Sequence, residues 1–389
     1  MDRKIKPLIY IPHGAVPDQR GFAPAIVAMK QTELLSSKLF SPSILSALET
    51  LTPYQCYHQI PIYRYEHSKL YKKLFTKITK LNPYPLEKVA ANYLKKIKAD
   101  LLHIHQLDFN VNKFRNYNRH TPIILHAHIS GRSYNEKLGE ANFYIAASDF
   151  IKDRMIKNGF PKNKISVVSN AVDTTIFTPL TDQEINQYKH QNQISNKLFV
   201  ITFAGRKQNI KGFHTFLAML DKLTKKYPHV IGIAIGADIN ENNTHLESYK
   251  NAYQLRSKLK KDHKLLDLEP CSHQSLNQWF NISNVIVCPS LAEPQGMIMI
   301  EAMSSGSIII SNRVGGIAKS VIDQQTGILL DDFENADLYA QKIDDIITNP
   351  SDYSFMKSNA RSHILENYTW QKWVNKLENI YIDVLGHKV

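Results

Sequence analysis

The chain has 389 residues, 43% of them apolar and 21% charged, with 15 glycines, 17 prolines and a formal charge of +13. That length suffices for two ordinary cores, and that balance excludes a disordered tail, a collagen-like rod and a disulfide-stapled scaffold. Cys56, Cys271 and Cys288 lie far apart and form no C-x-x-C pair, which points to a reducing compartment.

The charge is lopsided: residues 1–185 carry 26 Lys+Arg against 15 Asp+Glu, and the remainder carries 22 against 20. The first apolar run, after Lys6, meets Pro12, His13 and Gly14 too soon for the roughly 7–15-residue core of a signal peptide. No run approaches the roughly 20 apolar residues of a spanning helix, so a cytoplasmic location is expected. Short β-branched runs alternate with longer segments of helical period, the pattern of βα units around parallel sheets. In the first half the predicted strands are Leu8 to Ile11, Leu101 to His105, Ile123 to His126, Phe143 to Ala147 and Ile165 to Ser169. In the second they are Leu198 to Ala204, Val230 to Ile235, Val285 to Cys288 and Ser307 to Ser311.

Between Arg64 and Lys98 lie ten Lys+Arg and only two acids, Glu66 and Glu87. Leu70, Leu74, Phe75, Ile78 and Leu81 recur there at helical spacing beside lysines, a pattern that suits an anionic membrane surface, an anionic glycan or a solvated helix. No RNA- or DNA-binding module accompanies the basic charge, so nucleic acid is not an expected partner. His103 and His105, and His126 and His128, form two H-x-H pairs at strand ends. Imidazoles two apart on a strand point to one side, which also suits zinc, although no metallohydrolase carboxylate motif stands beside them.

Thr181 to Lys197 is polar, rich in Gln and Asn, and reads as a linker. Two α/β halves would meet in a cleft, with ligand-binding residues just beyond the carboxyl ends of strands. Gly205-Arg206-Lys207-Gln208-Asn209-Ile210-Lys211-Gly212 follows one strand: a glycine that admits a ligand to the backbone and two cations, Arg206 and Lys211, suited to a diphosphate. Glu293-Pro-Gln295-Gly296-Met297-Ile-Met-Ile-Glu301 follows another. It presents two carboxylates, which accept hydrogen bonds from vicinal hydroxyls, around a helix start suited to phosphate. Trp370, Trp373, Val374, Leu377, Ile380, Tyr381 and Val384 predict a terminal amphipathic helix.

Glu293 and Glu301 with seven residues between, then Ala302-Met303, Gly306 and Gly315-Gly316, resemble the E-x7-E signature of glycosyltransferase family 4. The resemblance covers nearly the whole chain: Asp100 to His105 is similar to the family's D-V-V-H-x-H strand, Pro122 to His128 to its P-V-V-x-T-x-H, and Asn170-Ala-Val-Asp173 with Phe177 and Pro179 to its N-G-V-D…F-x-P. Gly236, Pro289-Ser290 and Thr326-Gly327 match further turns. The departures are Ala171 for glycine, Lys319 for a frequent glutamate, and Gln295 for phenylalanine.

What the resemblance implies is a GT-B fold, two facing Rossmann-like domains with an inter-domain cleft. It also implies metal-independent, retaining transfer of a hexose from a nucleotide-sugar, UDP-linked, to a glycan or lipid-linked acceptor of the cell envelope. An acceptor domain over 1–180, a linker over 181–196, a donor domain over 197–365 and a helix over 366–389 crossing back are expected. Arg206 and Lys211 would hold the diphosphate, Glu301 the ribose and Glu293 the sugar hydroxyls, with Gly205, Gln295, Gly296 and Met297 around them. His128 would line the sugar pocket, with His126 beside it, and Gly14 and Gly21 would admit phosphate and acceptor. A nucleotide-sugar epimerase or hydrolase of the same fold, or a binding protein with a decayed site, are the alternatives. No cofactor is expected.

Overall fold

The computed structural model describes residues 3–12, 16, 23–35, 37–47, 54–65, 69–80, 82–129, 133–238 and 247–386. The chain divides into two compact units, Met1–Asn170 with Trp370–Val389, and Ala171–Thr369.

In the first unit an eight-stranded sheet is built from β1 (Pro7–Ile11), β2 (Ser43–Ala47), β3 (Tyr54–Tyr57), β4 (Ile60–Tyr65), β5 (Leu101–Ile104), β6 (Ile123–Ala127), β7 (Phe143–Ala146) and β8 (Ile165–Val167). Its order is β3-β4-β2-β1-β5-β6-β7-β8, parallel throughout except for the β3–β4 pair. Every residue of β1, β5 and β6 is buried, which explains their continuous apolar lettering: helices cover both faces, so no face is left to be polar.

Three strands of this unit carry no clear sequence signal. Ser43, Ser46 and Arg64 are polar letters on β2 and β4, yet all three are buried. The β3–β4 hairpin turns at His58 and Gln59, both in the left-handed region at φ +47° and +66° without a glycine, so the usual hairpin dipeptide is missing.

The second unit holds a six-stranded sheet of β9 (Phe199–Ala204), β10 (Val230–Ile235), β11 (Leu265–Leu268), β12 (Val285–Cys288), β13 (Ile309–Asn312) and β14 (Ile328–Leu330). It is parallel throughout in the order β11-β10-β9-β12-β13-β14. Two apolar clusters pack it, one around Val200, Phe280, Ile286 and Met303, the other around Phe203, Phe216, Val287 and Tyr339.

The stretch expected to be a linker is instead structured. Asp182–Gln191 is a helix opened by a capping box, in which Thr181 and Glu184 satisfy each other's backbone N–H. Its few apolar residues share one side: Ile185 and Tyr188 pack on the core, with Tyr188 edge-on to Trp279 at 5.2 Å. The preceding residues also belong to the second unit. Thr178 and Leu180 donate backbone N–H to the side chains of Asn277 and Asn281 at 3.1 and 2.8 Å, and Arg361 donates to Phe177 O at 2.7 Å. The first unit therefore ends at Asn170 rather than near 180. The terminal helix Trp370–Leu385 is part of the first unit, burying Trp373, Val374, Leu377, Ile380 and Tyr381, with the Tyr381 ring 5.8 Å from Phe40.

Candidate functional site

In the second unit the strand order reverses between β9 and β12, and in open parallel sheets the crevice at such a reversal is where ligands bind. The two loops that leave this point are Gly205–Gly212 after β9 and Pro289–Gly296 after β12. They are clamped together: Leu291 N donates to Ile210 O at 2.9 Å, and Gly212, at φ +69°, lies so close that a Cβ would sit 1.9 Å from Pro289 O. Gly205 is the opposite case. Its φ is +138°, but a Cβ would meet nothing within 4 Å, so the backbone there faces open space.

The structure separates the three cations of the first loop. Lys207 is buried, 2.7 Å from Asp267 and donating to Leu268 O at 2.8 Å; burial opposes ionisation of Asp267, but hydrogen bonds from Lys207 and Arg256 hold its carboxyl below the usual range. Arg206 is exposed, and its side chain has no hydrogen bond or ion pair among the described residues. Lys211 reaches across to the second loop and forms a short ion pair with Glu293, both side chains mostly buried. The backbone of Glu293 is itself held, its carbonyl accepting from Gly316 N at 2.9 Å.

Gly296 opens the helix Met297–Ser304. Gln295 is buried, Met297 half-buried and Glu301 only 7% exposed. Burial pushes the Glu301 carboxyl up to about 8, so the ligand-free chain keeps it protonated through neutral pH. Lys211 and Glu293 are thus directly paired, with Gly205, Arg206, Gln295, Gly296 and Met297 on the same two loops and Glu301 in the helix that follows. A cavity of about 420 Å³ lies elsewhere in this unit, between the helices Phe213–Lys226 and Glu247–Lys261; it is lined by Lys207, His214, Tyr253 and Arg256, and none of Arg206, Lys211, Glu293 or Glu301 borders it.

His126 and His128 belong to the first unit, where they join a cluster with both residues of the other pair. The rings of His126 and His128 stack at 4.3 Å, and those of His103 and His105 at 4.7 Å. Hydrogen-bond distances link His105 Nδ1 to His128 Nε2 (2.9 Å) and His103 Nε2 to His126 Nδ1 (3.3 Å). Burial lowers all four imidazoles, His128 to about 4 and the others well below the usual range, with the neighbouring rings adding to the effect in those three. One donor atom each of His103, His105 and His126 lie within 4.8 Å of one another, a spacing a metal could use, but most of the ring nitrogens are engaged with each other, Gln31 and Tyr381.

Gln31 and Tyr381 complete this cluster, and no sequence pattern ties either to the histidines: Tyr381 lies 278 residues from His103, yet its hydroxyl is 2.7 Å from His103 Nδ1. His126 is fully buried, while His128 is half-buried at the end of the cluster. Gly14 and Gly21 lie outside the described residues.

Two parallel-sheet α/β domains, one carrying a basic and carboxylate-bearing corner at its strand reversal, define the GT-B class of glycosyltransferase. Residues 40–176 match the family described as Glycosyltransferase Family 4, and residues 184–363 match Glycosyl transferases group 1. The chain belongs to glycosyltransferase family 4. It is 24% identical to the putative glycosyltransferase YtcC of Bacillus subtilis, over 92% of this chain and 93% of that one, and 25% identical to the spore coat protein SA of the same organism, over 76% and 81%. In fold it is similar to a glycosyltransferase from Rickettsia africae (TM-score 0.79, 18% identity, all of both chains). It is also similar to Anabaena HepE in complex with UDP and glucose (TM-score 0.72, 16% identity, 96% and 98% of the chains).

Proposed function

We propose that this glycosyltransferase moves a hexose from a UDP-linked nucleotide-sugar, with retention and without a metal ion, onto a glycan or lipid-linked acceptor of cell-envelope polysaccharide or lipopolysaccharide. The observation that carries this reading is the pairing of Lys211 with Glu293 where the sheet reverses. A donor entering there would find both charges already positioned: Lys211 turns from Glu293 towards the diphosphate, and Glu293 is freed to accept from sugar hydroxyls. Arg206, unpaired among the described residues, adds a second cation. Together they stabilise the charge left on the diphosphate as the sugar departs, the task a divalent ion performs in other transferases. The amides of Gly296 and Met297, at the start of an eight-residue helix, suit the distal phosphate. Glu301, protonated at neutral pH, offers the ribose one donor and one acceptor. In this reading Gly205 and Gln295 shape the donor pocket, His128 and Gly14 and Gly21 the acceptor side. The nucleotide in the HepE complex supports UDP as the first donor to try.

The test is the thermal shift of the full chain with UDP, GDP or ADP in excess EDTA. A ligand that binds only the folded state adds roughly 2.7 kcal/mol at a hundred times its dissociation constant. A UDP-selective shift is expected; a shift that appears only when EDTA is replaced by a divalent metal would overturn metal independence.

The same reading includes contact with an anionic membrane through residues 64–98. On the helix Lys69–Thr79, Leu70, Leu74 and Ile78 recur every fourth residue and stand 69, 51 and 79% exposed, with Lys73, Lys77 and Lys80 also exposed. An apolar stripe flanked by cations suits the headgroup boundary. No described helix is long and apolar enough to cross a membrane. Cosedimentation with phosphatidylglycerol vesicles should fall sharply in the doubly substituted L74E, I78E chain; equal binding by both would remove the helix from the account.

A further inference from the structure

We propose that Gln31 fixes the proton positions of all four clustered histidines, so that His128 presents the bare lone pair of Nδ1 as an acceptor for a ligand hydroxyl. The argument is one of donors and acceptors. Gln31 Oε1 can only accept, and it lies 3.0 Å from His105 Nε2, so His105 carries its proton on Nε2. A neutral imidazole has one N–H, which leaves His105 Nδ1 as a lone pair. His128 Nε2, 2.9 Å away, must therefore be the donor, and His128 Nδ1 is left bare. That atom is buried and has no partner among the described residues.

The other arm follows in the same way. Gln31 Nε2 donates to Tyr381 Oη at 2.7 Å and faces His103 Nδ1 at 3.1 Å, so His103 Nδ1 accepts and its Nε2 carries the proton. His103 Nε2 donates to His126 Nδ1 at 3.3 Å, which leaves His126 with an Nε2–H that also has no partner among the described residues. The wire thus has two complementary open ends, an acceptor at His128 and a donor at His126, and one amide governs both. Gln31 is fully buried, and turning its amide over would reverse every proton and make His128 Nδ1 a donor.

Two consequences bear on chemistry. A lone pair at His128 Nδ1 accepts a hydrogen bond from a hydroxyl and repels a phosphate oxygen, so this end suits a sugar rather than a diphosphate. A metal ion would need lone pairs from His103, His105 and His126 that are already spent on hydrogen bonds. Gln31 is then a positioning residue acting through His105. The role of the hydroxyl acceptor rests on the transferase reading, but the proton pattern does not, so the two can fail separately.

The test is long-range proton–nitrogen NMR on the full chain with labelled histidine at pH 7, with assignments from single His→Asn variants. Expected are four neutral Nε2–H rings, with couplings across the His128 Nε2–His105 Nδ1 and His103 Nε2–His126 Nδ1 hydrogen bonds. In Q31E both oxygens accept, so the protons of His103 and His126 should move to Nδ1 while His105 and His128 stay unchanged. A proton on Nδ1 of His105 in the native chain would overturn the proposal, as would a Q31E pattern identical to the native one. So would simultaneous displacement of the four rings' signals by equimolar zinc. The native spectrum decides the matter alone if Q31E does not fold.

Discussion

The two units place their functional side chains in opposite electrostatic settings. In the second, charge is kept and paired: Lys211 with Glu293 at the strand reversal, and Lys207 and Arg256 with Asp267 beneath it. In the first, four histidines are clustered and charge is refused, each ring held neutral by burial and those of His103, His105 and His126 by their neighbours as well. On the proposed function the difference has a reason: a corner that meets a diphosphate needs preorganised cations, whereas a surface that orients hydroxyls is served by neutral donors and acceptors whose directions are fixed.

The largest expected effect breaks the charged side of this contrast. K211A removes the cation that faces Glu293 and should cost about 3–4 kcal/mol of transition-state stabilisation, roughly a 10²–10³-fold fall in transfer rate. Turnover near the native value, in a chain with native thermal stability, would remove Lys211 from the site.

A second test concerns the scaffold beneath it. G212A drives a Cβ to 1.9 Å from Pro289 O at φ +69°, whereas G205A meets no atom within 4 Å at φ +138°. Backbone strain alone costs about 1–3 kcal/mol, so G205A should fall in that range and G212A beyond it, because the two loops must separate. Equal urea midpoints for the two variants would refute the clamp.

A third test is a difference in slope with pH. Glu301 keeps its proton to about 8 in the folded chain against an ordinary 4.5. The unfolded chain releases that proton earlier, so this group's contribution is fully present below 4.5 and is lost as pH rises to about 8, then stays level. His128 runs the other way. Its folded value is about 4 against 6.5, so its contribution is present above 6.5 and is lost as pH falls towards 4. The stability of E301Q relative to the native chain should therefore increase from pH 5 to 8 and level off above, whereas H128N should gain relative stability only as pH falls below 6.5. A constant offset in either series would contradict the corresponding burial.

Much of this architecture was legible in the letters. β1, β5, β9, β10 and β12 announce themselves because both of their faces are buried, which makes them short, largely apolar runs. The Glu293 to Glu301 spacing and the cations after β9 were legible because each follows such a strand directly. Less visible were strands with polar letters, such as β2 and β4, where Ser46 and Arg64 are buried, and the helix Asp182–Gln191, whose polar composition conceals a narrow apolar side.

The sequence by itself determined the family, the parallel-sheet class and the loops that carry cations and carboxylates, since these depend on local order along the chain. Only the tertiary structure decided which of the three neighbouring cations has a side chain without a partner among the described residues. Arg206, Lys207 and Lys211 are equivalent as letters, and it takes Asp267 and Glu293, 60 and 82 residues away, to tell them apart. It also decided what surrounds the histidines. The two H-x-H pairs do not reveal as letters that Gln31 and Tyr381, brought in from helices at either end of the chain, supply the hydrogen bonds on which the proposed proton pattern rests.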